Sequence, residues 1–175
     1  APNGDESINT SWYISAISDP KSGAVVNFAY EIDSIETDKH WSYQKTDLFS
    51  GICSYTAEIQ TNSFSRIKSL RLKEINYEGT KIVFDVATAA RQDVQNGKSL
   101  ESVSVFINNE LAQKTKLVTN YFSNGADYLN KRLKLEKVQM LNPVSNAVVG
   151  EYSFDFDSGM LPSRTSTEQD LWGFY

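Results

Sequence analysis

The chain repeats one unit four times: an apolar first arm, a turn, and a second arm built around one central residue. In the second arms, apolar and polar residues alternate, which is the pattern of a half-buried antiparallel strand. The first arms start at Trp12, Leu70, Leu100 and Leu133, and the second arms centre on Phe28, Phe84, Thr119 and Phe154. Each unit therefore predicts a β-hairpin.

The first arms contain a break in their alternation. Leu133 and Leu135 share a phase, and so do Val138 and Met140, but the two pairs are out of phase with each other. A β-bulge, which inserts one unpaired residue, returns both pairs to one face of the sheet. The same break recurs in other first arms. We expect bulges near Ala16, Lys73 or Glu74, Ser102, and Glu136 or Lys137.

The residues between the arms suit tight turns. Gly79 and the pair Asn108 and Asn109 tolerate the left-handed backbone that short hairpins need. Residues 33–64 and 87–99 lack the hairpin pattern and are expected to be looser, with one strand at Ile52–Ile59 in the first stretch and either a loop or one helical turn in the second. The predicted fold class is all-β, with mainly antiparallel repeated β-hairpins forming a curved sheet, an open sandwich or a partial shell. Its core is expected to contain three second-arm rings, Phe28, Phe84 and Phe154.

Charge and cysteine count narrow the function classes. The chain of 175 residues carries 22 Asp and Glu against 17 Lys and Arg, a net charge of -5, with no concentrated basic face. Nucleic-acid binding is therefore disfavoured. A single Cys53 and a single His40 cannot build an internal disulfide or the usual zinc site. We expect no cofactor, and no apolar run reaches the roughly 18 residues of a transmembrane helix.

The two ends of the sequence differ in composition. Residues 1–10 are polar and contain Gly and Pro, so we expect a flexible tether ahead of a single all-β module at 11–175. Residues 171–175 include three aromatic side chains, which are rarely left at a solvated terminus. We therefore expect the natural polypeptide to continue, with following segments as partners and Trp172 folded back onto the sheet. An exposed strand edge at this end would favour self-association.

The C-terminal part resembles a known family. Residues 132–139, 152–156, 161–164 and 169–175 resemble a segment found upstream of the repeats in large exported RHS/YD-repeat proteins of Bacteroidetes, and residues 12–30 share the likeness more loosely. The resemblance implies an extracellular or cell-surface module of a large bacterial protein, built from stacked β-hairpins and carrying no catalytic residues. The Tyr-Asp-x-x-Gly-Arg signature is absent. The resemblance therefore does not extend to a complete closed shell.

Candidate catalytic and metal-binding groups are few. His40 with two nearby Asp residues resembles a general base and its orienting acid, but no serine or cysteine stands in a recognisable nucleophile setting. Glu151, Asp155 and Asp157 alternate along one strand and would offer oxygen ligands to calcium, although no Asp-x-Asp-x-Asp-Gly loop is present. Solvated strand alternation explains them equally well. The sequence therefore predicts a non-enzymatic structural or scaffolding module.

Exposed aromatic residues support an alternative function. Trp41 and Tyr43 are two residues apart in a polar stretch, a spacing that places both rings on one face of a strand. Such paired rings can stack on sugars, so the alternative is a carbohydrate- or surface-binding β-sandwich with cell-surface glycan as its partner. The chain is 12% aromatic, however, and most of its rings must fill the core.

Overall fold

A computed structural model describes the backbone of residues 11–50, 53–123, 125–157 and 161–163, and their side chains except those of 34–67 and 123. The eight strands are β1 (Ala16–Ser18), β2 (Val25–Ser50), β3 (Cys53–Tyr77), β4 (Thr80–Val86), β5 (Leu100–Ile107), β6 (Glu110–Ser123), β7 (Lys131–Leu141) and β8 (Val148–Ser153). One short 3-10 turn, Tyr128–Asn130, precedes β7. The described residues contain no α-helix.

The strands form one open antiparallel sheet in chain order, from β1 to β8. Strands β1 and β2, β3 and β4, β5 and β6, and β7 and β8 are the four predicted hairpins. The all-β prediction is confirmed. The hairpins are joined edge to edge in a single sheet, and not as the two layers of a sandwich.

Strands β2 and β3 are much longer than the others. Their ladder continues as far as Ser50 opposite Cys53. The expectation of looser structure at 33–64 is therefore wrong for the described backbone, whereas the strand expected at Ile52–Ile59 lies within β3 from Cys53 onward. This part of the sequence is polar, and ladder hydrogen bonds do not require the apolar stripe by which a strand is recognised in a sequence.

Three of the four expected bulges are present. Lys73 in β3, Glu101 in β5 and Glu136 in β7 are each skipped in the pairing with the preceding strand. The second lies one residue before the expected Ser102. Near Ala16 the prediction is wrong, because the ladder between β1 and β2 is unbroken. All three bulges face the preceding strand, and β1 has no preceding strand among the described residues.

The bulges define equivalent positions in the four hairpins. Continued by one position, the hairpin ladders place Phe84, Leu117 and Phe154 opposite the bulged residues. The N–H of Phe154 donates to the carbonyl of bulged Glu136 at 2.9 Å, and the N–H of Phe28 donates to Ser15 at the same distance. Ser15 therefore occupies the bulge position of the first hairpin. The centre of the third second arm is Leu117, so the assignment of Thr119 is wrong by two residues.

The sheet is one layer thick in the part of the chain that is described. Substantial contacts between strands join sheet neighbours only. One face carries a continuous cross-strand row of apolar side chains, Phe28, Ile75, Ile82 and Val105. They shield one another laterally and are half-buried. The buried apolar residue of the described part is Leu141.

The three rings expected in the core are not fully buried. Phe28 and Phe84 are half-buried, and Phe154 is 45% exposed. Full burial of these rings requires a second layer over this face, and the described residues form only one. Phe154 follows β8, which among the described residues has a neighbouring strand on one side only.

Two tight turns confirm the predicted turn chemistry. Glu78 and Gly79 have φ angles of 37° and 78°, and Asn108 and Asn109 have φ angles of 50° and 67°. Positive φ at both central residues matches the twist of hairpin strands. A Cβ on Gly79 would lie 2.9 Å from Oδ1 of Asn108. The positive φ therefore favours glycine there, and a larger residue would also have to displace the amide of Asn108.

Candidate functional site

The predicted sugar-stacking pair lies in β2. The backbone of Trp41 pairs with Asn62, and that of Tyr43 pairs with Gln60. The side chains of Trp41 and Tyr43 lie outside the described ones, as does the side chain of His40. Glycan stacking at Trp41 and Tyr43 therefore stays a prediction.

The first exposed apolar region is the β1 edge, defined as the outer side of β1 with the preceding residues 12–15. Trp12 is 87% exposed, and Ile14 and Ile17 are 59% and 53% exposed. The hydroxyl of Tyr30 donates to the carbonyl of Ile14 at 2.8 Å. A second ring, Tyr13, meets Tyr30 edge-on at 5.3 Å. These contacts fix the segment that leads into β1 and hold its apolar side chains at the side of the sheet.

The second exposed apolar region is the β8 edge, defined as the outer side of β8 with the following residues 154–157. Tyr152 is 65% exposed, and Phe154 and Phe156 are both 45% exposed. The ring of Phe156 meets Phe122 edge-on at 5.1 Å, which holds the segment beyond β8 against the sheet. Among the described residues, no strand pairs with the outer side of β1 or of β8.

The polar face of the sheet carries an open groove of about 550 Å³. Its lining includes Asp85, Ser102, Lys114, Lys116 and Gln139. The hydroxyl of Ser102 donates to the carboxylate of Asp85 at 3.1 Å. Acidic and basic groups are mixed along the groove, and its lining contains no histidine or cysteine. The arrangement matches a solvated sheet face better than a catalytic site.

Glu151, one of the carboxylates considered as a calcium ligand, is bound by its neighbours. The amide of Gln139 donates to one carboxylate oxygen at 2.7 Å, and the amine of Lys137 donates to the other at 2.9 Å. The hydrogen bonds from Gln139 and then Lys137 hold the pKa of Glu151 below its usual value. Asp155 and Asp157 follow β8. Within the described ranges, no group of three or more His, Cys, Asp or Glu is placed to hold a metal ion.

A buried ion pair fastens the loop at 87–99 to β7. Asp93 is 1% exposed, and its carboxylate accepts two hydrogen bonds from the guanidinium of Arg91, at 2.9 and 2.7 Å. The backbone N–H of Leu133 donates to the same carboxylate at 3.1 Å. Burial acts to raise the pKa of Asp93, but the bonds from Arg91 and Leu133 outweigh it, and the net pKa is lowered. Sequence reasoning missed this pair because Arg-x-Asp is too short to predict contact with a strand 40 residues away.

Comparison with known proteins finds no match for the chain, neither to a family model nor to a curated protein nor to a solved structure. The resemblance to RHS/YD-repeat proteins therefore rests on the sequence motifs alone. In the described part of the chain, no helix has the length and apolar character needed to cross a membrane. The functional conclusion rests on the sheet and its two edges.

Proposed function

We propose that this chain is a non-enzymatic structural module of a large secreted or surface-associated RHS-like bacterial protein. The observation that carries the proposal is a repeated junction between hairpins. The pairs β2 and β3, β4 and β5, and β6 and β7 each join a second arm to the next first arm, and in each pair one residue of the first arm is skipped near the arm centre. Structural repeats of this kind bury their surface against further copies of themselves. Such a sheet lengthens by adding hairpins and serves as a wall or support.

The exposed edges support the same proposal. Soluble proteins usually protect edge strands with charges, Pro, bulges or a covering segment. Here Ile17 at the β1 edge is 53% exposed and Tyr152 at the β8 edge is 65% exposed. In the proposed larger protein, flanking hairpins of the same polypeptide cover these side chains, with following segments on the β8 edge. The extracellular location is supported by the sequence resemblance.

The proposal is tested by comparing the 175-residue chain with a longer natural chain that contains it. Covering the β8 edge removes apolar surface from water, so the melting temperature of this sheet should rise in the longer chain. Protease treatment of intact source cells should also cleave the protein, as expected for an exposed surface module. An unchanged melting temperature together with protection in intact cells and cleavage only after lysis would contradict the proposal.

A further inference from the structure

The β1 edge and the β8 edge are complementary in direction. All neighbouring strands in the sheet are antiparallel, so β1 and β8, seven steps apart, run in opposite directions. A second copy placed beside the first in the same orientation would therefore bring its β1 antiparallel to β8. This arrangement is head to tail, and it continues the strand order of the sheet without a break.

The internal junctions specify the register of such a contact. In each of them, the residue at the centre of a second arm pairs with an apolar residue of the next first arm: Phe28 with Ile75, Phe84 with Val103, and Leu117 with Val138. One residue of the first arm is then skipped, and the ladder resumes with Tyr30 opposite Leu72, Val86 opposite Leu100, and Thr119 opposite Leu135. Near the arm centres the three junctions follow one rule, and the β2–β3 ladder has a further irregularity between Thr37 and His40.

Applied to β8 of one copy and β1 of the next, the same rule predicts which residues pair. Phe154 corresponds to the second-arm centres, and Ser15 corresponds to the bulged residues. Phe154 therefore pairs with Ile17 of the neighbouring copy, Ser15 of that copy is skipped, and Phe156 pairs with its Ile14. Strand β1 has no bulge against β2. In this arrangement the bulge at Ser15 forms instead against β8 of the neighbouring copy.

The side chains assigned to this junction are available for it. Phe154 and Phe156 are each 45% exposed, and Ile17 and Ile14 are 53% and 59% exposed. Strand β1 has no charged residue. The charged residue of β8, Glu151, is held by Lys137 and Gln139 of its own chain. Asp155 and Asp157 of the β8 edge alternate with Phe154 and Phe156 and so lie on the opposite face of the sheet. The face that carries the assigned apolar contact thus lacks the charges that usually prevent strand addition.

We propose that a second copy of this chain is the partner of these edges, with the β8 edge of one copy pairing head to tail with the β1 edge of the next. Both halves of the junction are present in one sequence, and the contact is heterologous and does not close on itself. In this arrangement a second copy takes the place that the proposed function gives to flanking hairpins, so the inference applies to the 175-residue chain by itself. Its failure therefore leaves the role of flanking hairpins standing.

The test uses two single-edge variants and sedimentation analysis over a range of concentrations. Ile17→Lys places a charge on the β1 edge, and Phe154→Lys places one on the β8 edge. Ile32→Lys is the matched control, because Ile32 is 61% exposed in β2 and lies outside the assigned junction. Far-UV circular dichroism shows whether each variant keeps the sheet.

The unaltered chain and Ile32→Lys should grow in mass with concentration and pass beyond a dimer. Each edge variant alone should remain monomeric. An equimolar mixture of Ile17→Lys and Phe154→Lys should form dimers and stop there, since one variant supplies an intact β8 edge and the other an intact β1 edge.

If an edge variant loses the sheet, proline variants replace it. The residues Ser15 and Phe154 face the hairpin partner, so the N–H groups of Ala16 and Ser153 point outward by the antiparallel alternation. Ala16→Pro and Ser153→Pro remove those donors and spare the bonds within each hairpin. An unaltered chain that is monomeric at every concentration would overturn the proposal. So would either edge variant dimerising alone, which indicates a symmetric contact, or a mixture that stays monomeric.

Discussion

The middle of the sheet and its two edges are built from the same hairpin, yet they differ in burial. Each of β4 to β7 has a neighbour on both sides, and Phe84 in β4 is half-buried. At the edges, Ile17 is 53% exposed and Tyr152 is 65% exposed. In a sheet of one layer, an apolar side chain is shielded by the strands beside it. Neighbouring strands, and not a second layer, therefore supply the core of the described part.

The middle also has a buried ion pair, which the described residues of the two edges do not have. The loop at 87–99 inserts Asp93, which is 1% exposed, and ties it to Arg91 and to the backbone of Leu133. A buried and fully bonded carboxylate fixes the loop against β7. The comparison predicts that substitutions in the middle are costly and that matched substitutions at the edges are not.

The largest effect is expected from deleting the bulged residue Glu136. Deletion shifts residues 131–135 by one position against β6 and turns Leu133 and Leu135 to the polar face. For two half-buried leucines, we expect the free energy of unfolding to fall by about 3 kcal/mol or more. The measurement is urea unfolding followed by circular dichroism. Glu136→Ala keeps the chain length and should have only a small effect. Equal losses in both variants would show that the bulge does not set the register.

The second effect concerns the buried ion pair in the middle. Asp93→Asn leaves Arg91, whose side chain is 26% exposed, without its carboxylate partner. We expect a loss of roughly 2 to 3 kcal/mol, below the usual range for a fully buried pair. Asp155→Asn, at an exposed position beyond β8, is the control and should change little. If the two variants melted alike, Asp93 would not support the middle of the sheet.

The same pair predicts a pH dependence. The pKa of Asp93 in the folded protein is below its ordinary value of 3.8, because hydrogen bonds from Arg91 and Leu133 outweigh the opposing effect of burial. The pair therefore contributes its full stability above the ordinary pKa and loses it as the pH falls through the lower folded pKa. The free energies of unfolding of the unaltered chain and of Asp93→Asn should therefore converge as the pH drops below the folded pKa of Asp93. A difference between the two proteins that stays constant across this pH change would contradict the lowered pKa of Asp93.

A direct comparison of two equivalent rings gives a smaller effect. Phe84→Ala in the middle should lower the free energy of unfolding by about 2 kcal/mol, roughly half the cost for a fully buried ring. Phe154→Ala at the β8 edge, where the ring is 45% exposed, should cost about 1 kcal/mol or less. Both are measured at a protein concentration at which the chain is monomeric. A larger loss of unfolding free energy for Phe154→Ala than for Phe84→Ala would contradict the expected difference between the middle and the edge.

The smallest effect is expected for the ion pair at the β8 edge. Glu151→Gln removes the charge that Lys137 contacts at 2.9 Å. The pair is solvent-exposed, so its contribution should be slight and should vanish in high salt. Thermal melts at low and high salt measure it. A loss that persists in high salt would indicate a packing role for Glu151.

Local features of the sequence predicted most of the fold. Alternation identified the arms, and the positive φ of Gly79 and Asn109 follows from residue types that tolerate it. The bulges at Lys73 and Glu136 were visible because a one-residue slip changes the phase of an apolar pattern. These signals are short-range, and a single sequence contains them in full.

Features that depend on distant parts of the chain were not predictable in this way. The burial of Phe154 depends on how many strands flank β8, and the place of Leu117 depends on the register set by the Asn108 turn. Asp93 binds the backbone of Leu133, and no local pattern encodes that contact. The site residues Trp41 and Tyr43 lie outside the described side chains, so that prediction is untested.

The most direct test of the account is amide hydrogen exchange at single-residue resolution, at a concentration at which the chain is monomeric. Lys116 pairs with Ser102 on one side and Gln139 on the other. The amides of Ala16 and Ser153 point away from the sheet. The account predicts slow exchange at the residues of β4 to β7 that, like Lys116, are paired on both sides, and fast exchange at Ala16 and Ser153. Protection of these two edge amides equal to that of Lys116 in the monomer would contradict it.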